Sequence, residues 1–412
     1  MAQNNGTAKS RFATLDFYQV LLAILMLFVS FYPLDPVETK IQIIGALIVV
    51  SLLMMARTAG NAMNCQRFLV IAGMISSLIL YIAISRPLFP VLNDYSANKF
   101  LFTYYSLGVF GIVLPWLLYR GRGAADVVVV LLSLSFVLGL VSFFPTIESD
   151  NLRYSVIGLS PTLMAKLTCI ISLIFIVYPS KDRARFALAG AAFLFGIFAT
   201  INTGSRGSLV ALTVVYIIFS VSRGGVGPLL KSVFGLFAIG LFVYVGLQFA
   251  PAEIQERFTW EAVSVEENSD EGDRLYLWNI AVEGIRAKVF GHGLGSFSYS
   301  SFIAVPHNIA LESMYELGLI FSAIFLFYVF APVFRMKEML SREEWQVHFV
   351  YVAYLYNLAL SLFGGEMSLS NTLLYFTCSF IWLLKRDPKN GKASVGIWVG
   401  KRDGLAAVAD GR

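Results

Sequence analysis

The feature that most constrains this chain is a succession of apolar runs, each close to twenty residues and nearly free of charge, parted by short loops where the charged residues collect. A helix needs about 20 apolar residues to cross roughly 30 Å of hydrocarbon. A charge at the centre of that layer costs at least ~3 kcal/mol. Only a structure that satisfies its own backbone survives there, so the runs predict helices. The pattern therefore predicts an all-α, polytopic integral membrane protein. About twelve runs are legible: Leu15–Tyr32, Ile41–Ala56, Phe68–Ser85, Phe100–Tyr119, Ala124–Phe144, Pro161–Tyr178, Ala184–Ile201, Gly207–Ser222, Pro228–Phe249, Asn308–Phe330, Val347–Phe363 and Leu369–Leu384. The first follows a polar tail without a small-residue cleavage site and reads as a retained span rather than a removed signal peptide.

Orientation follows from the cations. Lys9, Arg11, Arg57, Arg67, Arg120, Arg122, Lys181, Arg183, Arg185, Arg223, Lys231, Arg335, Lys337, Arg342, Lys385 and Arg386 fall in alternate loops. The intervening loops are poor in cations or balanced by acids, as in Asp35, Glu38 and Lys40 or Glu148, Asp150 and Arg153. The excess of positive charge predicts that both termini are cytoplasmic. The chain then divides into spans one to nine (1–249), a large outer loop (250–306), spans ten to twelve (307–384) and a cytoplasmic tail (385–412). The net charge of +5 belongs to this orientation signal and does not point to nucleic acid. Cys169 and Cys378 lie in apolar runs and Cys65 in a cation-rich loop, so neither a disulfide nor thiol chemistry is expected. No internal repeat is visible.

This topology sorts the polar residues. His292 and His307 fall at the outer face, whereas His348 falls at the inner end of the eleventh run. Arg206, in the turn N-T-G-S-R-G, and Arg274, in the large loop, face the same side as His307. Within the loop, Leu275, Trp278, Val282, Ile285 and Val289 recur at helical spacing and predict an amphipathic helix along the membrane interface, anchored by Trp278. The acidic stretch 266–273 before it is a solvated loop or, alternatively, a calcium loop whose glycine comes one residue late for an EF-hand. Gly291, Gly293 and Gly295 form a chain reversal without the preceding strand of a dinucleotide site; it is either a plain turn or a run of N–H groups able to cup a phosphate. His307 and Asn308 open the tenth run after Pro306. Glu312 and Glu316 follow at one-turn spacing on the face of Asn308. Ionisable residues at that depth usually carry a role. The plainer alternative is that His307 is an interfacial residue and the glutamates pair with arginines of neighbouring helices.

An imidazole, two guanidinium groups and a membrane interface suit a substrate that is anionic at one end and lipidic at the other. Arginine's planar fork matches phosphate oxygens, and the head of a helix favours anions. Neutral histidine can take a proton from an attacking hydroxyl. The parts fit displacement of a phosphate leaving group from a lipid-linked donor. No H-E-x-x-H, Walker A or G-x-S-x-G sequence occurs.

The order of Ser205-Arg206-Gly207, then Arg274 with Trp278, then Gly291, Gly293, Gly295 and Phe297, then His307, Asn308, Leu311, Glu316 and Gly318 resembles the O-antigen ligase/polymerase superfamily. The resemblance implies a bacterial inner-membrane glycosyltransferase whose site faces the periplasm. It implies an undecaprenyl-diphosphate-linked glycan donor and neither cofactor nor metal. Twelve spans with one dominant outer loop are similar to the ligase that joins O-antigen to lipid A–core; polymerases of the superfamily usually divide their outer chemistry between two sizeable loops. By this resemblance His307 is the catalytic base and Arg206 and Arg274 bind the diphosphate. Asn308, Glu312, Glu316, Trp278 and Gly293 are supporting residues. An O-antigen polymerase or a protein O-oligosaccharyltransferase of the same superfamily is the alternative. A transporter of lipid-linked saccharide fits less well, because its polar groups would gather at the midplane between repeated halves.

Overall fold

The computed structural model describes residues 19–26, 46, 49–50, 66–88, 94–120, 123–143, 147–149, 153–155, 161–178, 182–222, 226–250, 252–259, 274–301, 305–364, 367–368 and 371–384. The first two expected spans fall largely outside these residues, as do the acidic stretch 266–273, Cys65 and the tail from 385. The described chain is helical apart from one short ribbon. Helix α1 (Gln66–Leu88) is followed by α2 (Asp94–Tyr105), which passes through a π-helical segment (Ser106–Val113) into α3 (Leu114–Arg120). Then come α4 (Ala124–Val141) and an antiparallel pair, β1 (Ile147–Ser149) and β2 (Arg153–Ser155), in the register Ile147↔Ser155. Next are α5 (Pro161–Thr168), a 3₁₀ turn (Cys169–Ser172), α6 (Leu173–Val177), α7 (Arg183–Asn202), α8 (Arg206–Ser222), α9 (Val226–Gln248) and α10 (Ala252–Arg257). The last elements are α11 (Arg274–Ala287), α12 (Phe297–Ser300), α13 (Ile309–Phe334), α14 (Met336–Leu340), α15 (Trp345–Gly364) and α16 (Thr372–Leu383).

Each of the last ten predicted runs coincides with helix in the structure. Among the described residues, six helices are long and apolar enough to cross a membrane, and four more apolar helices are shorter. The ribbon at 147–155 departs from the all-α expectation. Large apolar side chains such as Leu188, Phe237 and Phe334 are exposed on the outside of the bundle. In water such a surface would be a liability; in a bilayer it is the face that meets acyl chains.

Three contacts fix which helix ends lie together. The Arg335 guanidinium donates to the carbonyls of Ile381 and Leu384, and Arg67 also donates to Leu384. These capping bonds satisfy the last carbonyls of α16. They bring together three segments that the cation pattern assigns to one side. Phe219, near the end of α8, meets His348 at the start of α15, with ring centroids 5.9 Å apart. The ends of α8 and α13 therefore lie at this Arg335 end of the bundle. Their starts, carrying Arg206 and His307, lie at the other.

The main core runs through the bundle, with Phe110, Tyr328, Tyr354 and Phe376 among its buried members. A second, smaller core consists of Leu277 and Ala281 on α11, Phe297 on α12 and Tyr315 on α13. Burying a leucine or phenylalanine contributes about 1.5–3 kcal/mol, so this satellite core is worth on the order of 5 kcal/mol. It holds α11 and α12 onto the first turns of α13.

Candidate functional site

The turn that carries Arg206 is built by a glycine. Gly204, at φ +68°, takes the left-handed conformation that ends α7, and its N–H donates to the Ile201 carbonyl at 2.8 Å. The chain reverses and Arg206 becomes the first residue of α8, half-buried at the helix head. Arg274 likewise opens α11 and is exposed.

The predicted apolar stripe on α11 does not pack against the protein as a unit. Leu275 is 63% exposed and Val289 47%, while the buried residues are Leu277 and Ala281. At a membrane interface apolar residues are tolerated on the outward face as well, so the stripe in the sequence does not identify the inward one. Gly284 continues the buried face; a Cβ there would collide with the ring of Tyr315. Trp278 is not an exposed interfacial anchor. It is half-buried, and its indole N–H donates to the Pro306 carbonyl at 3.0 Å. That bond ties α11 to the residue preceding His307, with Arg274 one helical turn away.

His307 has φ +53° and is the one non-glycine residue with positive φ among the described residues. Such a conformation costs about 1–3 kcal/mol and persists only where its surroundings impose it. Here Pro306 is held from one side by Trp278. On the other side Asn308 is the N-cap of α13, its Oδ1 accepting from the N–H groups of Ala310 at 3.0 Å and Leu311 at 3.1 Å. This is the usual way an asparagine satisfies orphan donors at a helix start. The imidazole is thus presented between two fixed points.

The glycine-spaced turn is a clasp and not a phosphate cup. The N–H of Gly291 donates to Lys288, that of His292 to the Tyr315 carbonyl at 3.0 Å, and that of Gly293 to the Glu316 carbonyl at 3.0 Å. These donors are therefore already engaged. The carbonyls are open to them because α13 breaks at Gly318, where φ is +73° and ψ +171°. Leu319 then donates back to the Val289 carbonyl at 2.9 Å. Gly295, at φ +82°, lies against Ser96 on α2, where a Cβ would come within 2.8 Å of backbone. His292 stacks on Tyr315 at 4.4 Å and bonds the Gly284 carbonyl through Nε2, so it packs the clasp together. Tyr315 in turn bonds Ser300 on α12.

The cation found between Glu312 and Glu316 is a lysine. Lys99 on α2 stands between them, its Nζ 2.5 Å from Glu312 and 2.6 Å from Glu316, with all three side chains at most 1% exposed. Glu312 also accepts from the backbone N–H of Met367 at 3.0 Å. The sequence placed Lys99 just outside the fourth run, which it began at Phe100. The helix starts at Asp94 instead, so Lys99 is inside it. The two acidic residues called for a cation, yet spacing alone could not say which helix supplies it. A further buried cation, Lys166 on α5, reaches Asn371 Oδ1 at 3.3 Å, and Asn371 is also bonded by Ser361.

The structure thus ties Trp278 to Pro306 and links Asn308, Glu312, Glu316 and Gly293 through the start of α13, with Arg274 one turn before Trp278 on α11. Arg206 opens a separate helix at the same end of the bundle, and His348 lies at the opposite end. Comparison with curated proteins yields no match. A protein-family model described as O-antigen ligase matches residues 190–326, which spans the Arg206 turn, α11, the glycine clasp, His307 and most of α13. Over residues 190–326 the chain is therefore similar to the O-antigen ligase family.

Proposed function

We propose that the chain is an inverting, metal-independent glycosyltransferase of lipopolysaccharide biosynthesis. It transfers O-antigen polysaccharide from undecaprenyl diphosphate to a sugar hydroxyl of lipid A–core. In this reading it crosses the bacterial inner membrane twelve times, with both termini cytoplasmic and the His307 end facing the periplasm. The observation that carries it is the strained backbone of His307, held between the Trp278–Pro306 bond and the Asn308 cap within the matched segment. Strain of this kind gathers at functional sites.

In the proposed step the acceptor hydroxyl gives its proton to His307 as its oxygen attacks the anomeric carbon. The new carbon–oxygen bond forms as the bond to the diphosphate breaks, and undecaprenyl diphosphate leaves with the electron pair. Arg206 and Arg274 bind the diphosphate and stabilise its added charge, aided at Arg206 by the helix head. A single displacement inverts the anomeric centre. The test is transfer by the purified protein from undecaprenyl-diphosphate-linked glycan. His307→Ala and Arg274→Ala are expected to stay folded and to lower turnover by about 10²-fold or more. Full turnover in both variants would overturn the proposal. Offering lipid A–core, a second lipid-linked glycan or a peptide as acceptor separates ligase from polymerase and from protein oligosaccharyltransferase.

A further inference from the structure

Lys99 has no place in the chemistry above, yet it is one of the most completely buried cations of the described chain. Burying three charges costs several kcal/mol per ion, and apolar residues of equal volume commonly serve stability as well or better. A charged triad is therefore a poor device for stability alone. What it supplies is direction: an ammonium at 2.5 Å and 2.6 Å from two carboxylates fixes the register of two helices more sharply than apolar contact does.

The partners of the triad show what is being held. Glu312 lies in the first turn of α13, four residues after the Asn308 cap, and its other oxygen takes the Met367 N–H from the segment between α15 and α16. Glu316 lies one turn further, and its backbone carbonyl takes the Gly293 N–H of the clasp. Ser96, one turn before Lys99, lies against Gly295 on the far side of that clasp. Four segments are therefore linked through the triad and its neighbours: α2, the start of α13, the glycine clasp and the turn before α16. Together they frame the segment bearing His307.

We propose that Lys99 is a positioning residue for the transfer reaction, acting through Glu312 and Glu316 to hold the first turns of α13, and with them His307, in the catalytic register. This rests on the proposed role of His307. A misplacement of about 1 Å at such a base is enough to lower a rate about 10²-fold.

Lys99→Met alone leaves two unpaired buried carboxylates and is a poor probe, because it can simply unfold. The informative variant is the neutral triple Lys99→Met/Glu312→Gln/Glu316→Gln, which keeps the volumes and leaves no buried charge. It is expected to melt at or above the parent temperature, with KM for the lipid-linked donor within about twofold and kcat lowered about 10- to 100-fold. Hydrogen exchange of the Ala310 and Leu311 amides, which report the Asn308 cap, is expected to speed up by a similar factor. A triple variant with parental kcat, or with parental exchange at those two amides, overturns the proposal. The exchange measurement needs no substrate. If the parent protein transfers no glycan, faster exchange in the triple variant still upholds the triad's hold on α13, while the glycosyltransferase reading falls.

Discussion

Gly318→Ala probes the join between the glycine clasp after α11 and the bundle. A Cβ at Gly318 would lie 2.6 Å from the Phe290 carbonyl oxygen and 2.7 Å from the Gly291 nitrogen, and the residue sits at φ +73°. All of these neighbours are backbone, so no side chain can swing away. A positive φ with ψ +171° is backbone essentially reserved for glycine and costs an alanine about 1–3 kcal/mol. Overpacking adds about 1–3 kcal/mol if the clasp stays shut. If it opens instead, the bonds from His292, Gly293 and Leu319 are lost at about 1 kcal/mol each. Either route gives a loss of roughly 2–6 kcal/mol. Gly73→Ala is the matched control: it lies within α1 with nothing within 4 Å of its would-be Cβ, and a helical alanine is favoured by about 1 kcal/mol. The assay is unfolding in mixed micelles followed by tryptophan fluorescence, with both variants run against the parent. A Gly318→Ala protein within about 1 kcal/mol of Gly73→Ala would refute the backbone-clasp reasoning.

Asn308→Ala removes the acceptor for Ala310 and Leu311 and should destabilise by about 0.5–2 kcal/mol, whereas Asn308→Asp, which caps as well, should stay near the parent in the same micelle titration. Trp278→Phe keeps the ring and deletes the indole N–H, leaving the Pro306 carbonyl without that donor. A stability loss of about 1 kcal/mol with a larger fall in transfer rate is expected, and an unchanged rate would show that this bond does not fix His307.

The helices were legible because hydrocarbon leaves little freedom: long apolar runs with charges at their ends predict helix, and helix fills the body of each run from Phe68 to Leu383 in the described residues. The boundary before Phe100 was not legible. Lys99 looks like a loop cation until its two carboxylates are seen to come from another helix. The inward face of α11 was not legible for a related reason, since Leu275 and Leu277 are equally apolar and only packing against Tyr315 separates them. The glycines were recognised as a turn, but that their N–H groups would be taken by Tyr315 and Glu316 depends on the break at Gly318. His307 and Asn308 were legible as a helix start, because Pro-His-Asn before an apolar run is a capping pattern. The positive φ of His307 was not.

Whether His307, Arg206 and Arg274 act on one lipid-linked diphosphate is decided by a structure of the protein in lipid nanodiscs with an undecaprenyl-diphosphate-linked glycan bound. Diphosphate oxygens are expected within about 3 Å of both guanidinium groups, with the His307 imidazole turned to the side from which an acceptor hydroxyl approaches the anomeric carbon. A diphosphate held at the Arg335 end of the bundle, or one bound out of reach of both Arg206 and Arg274, would contradict that expectation.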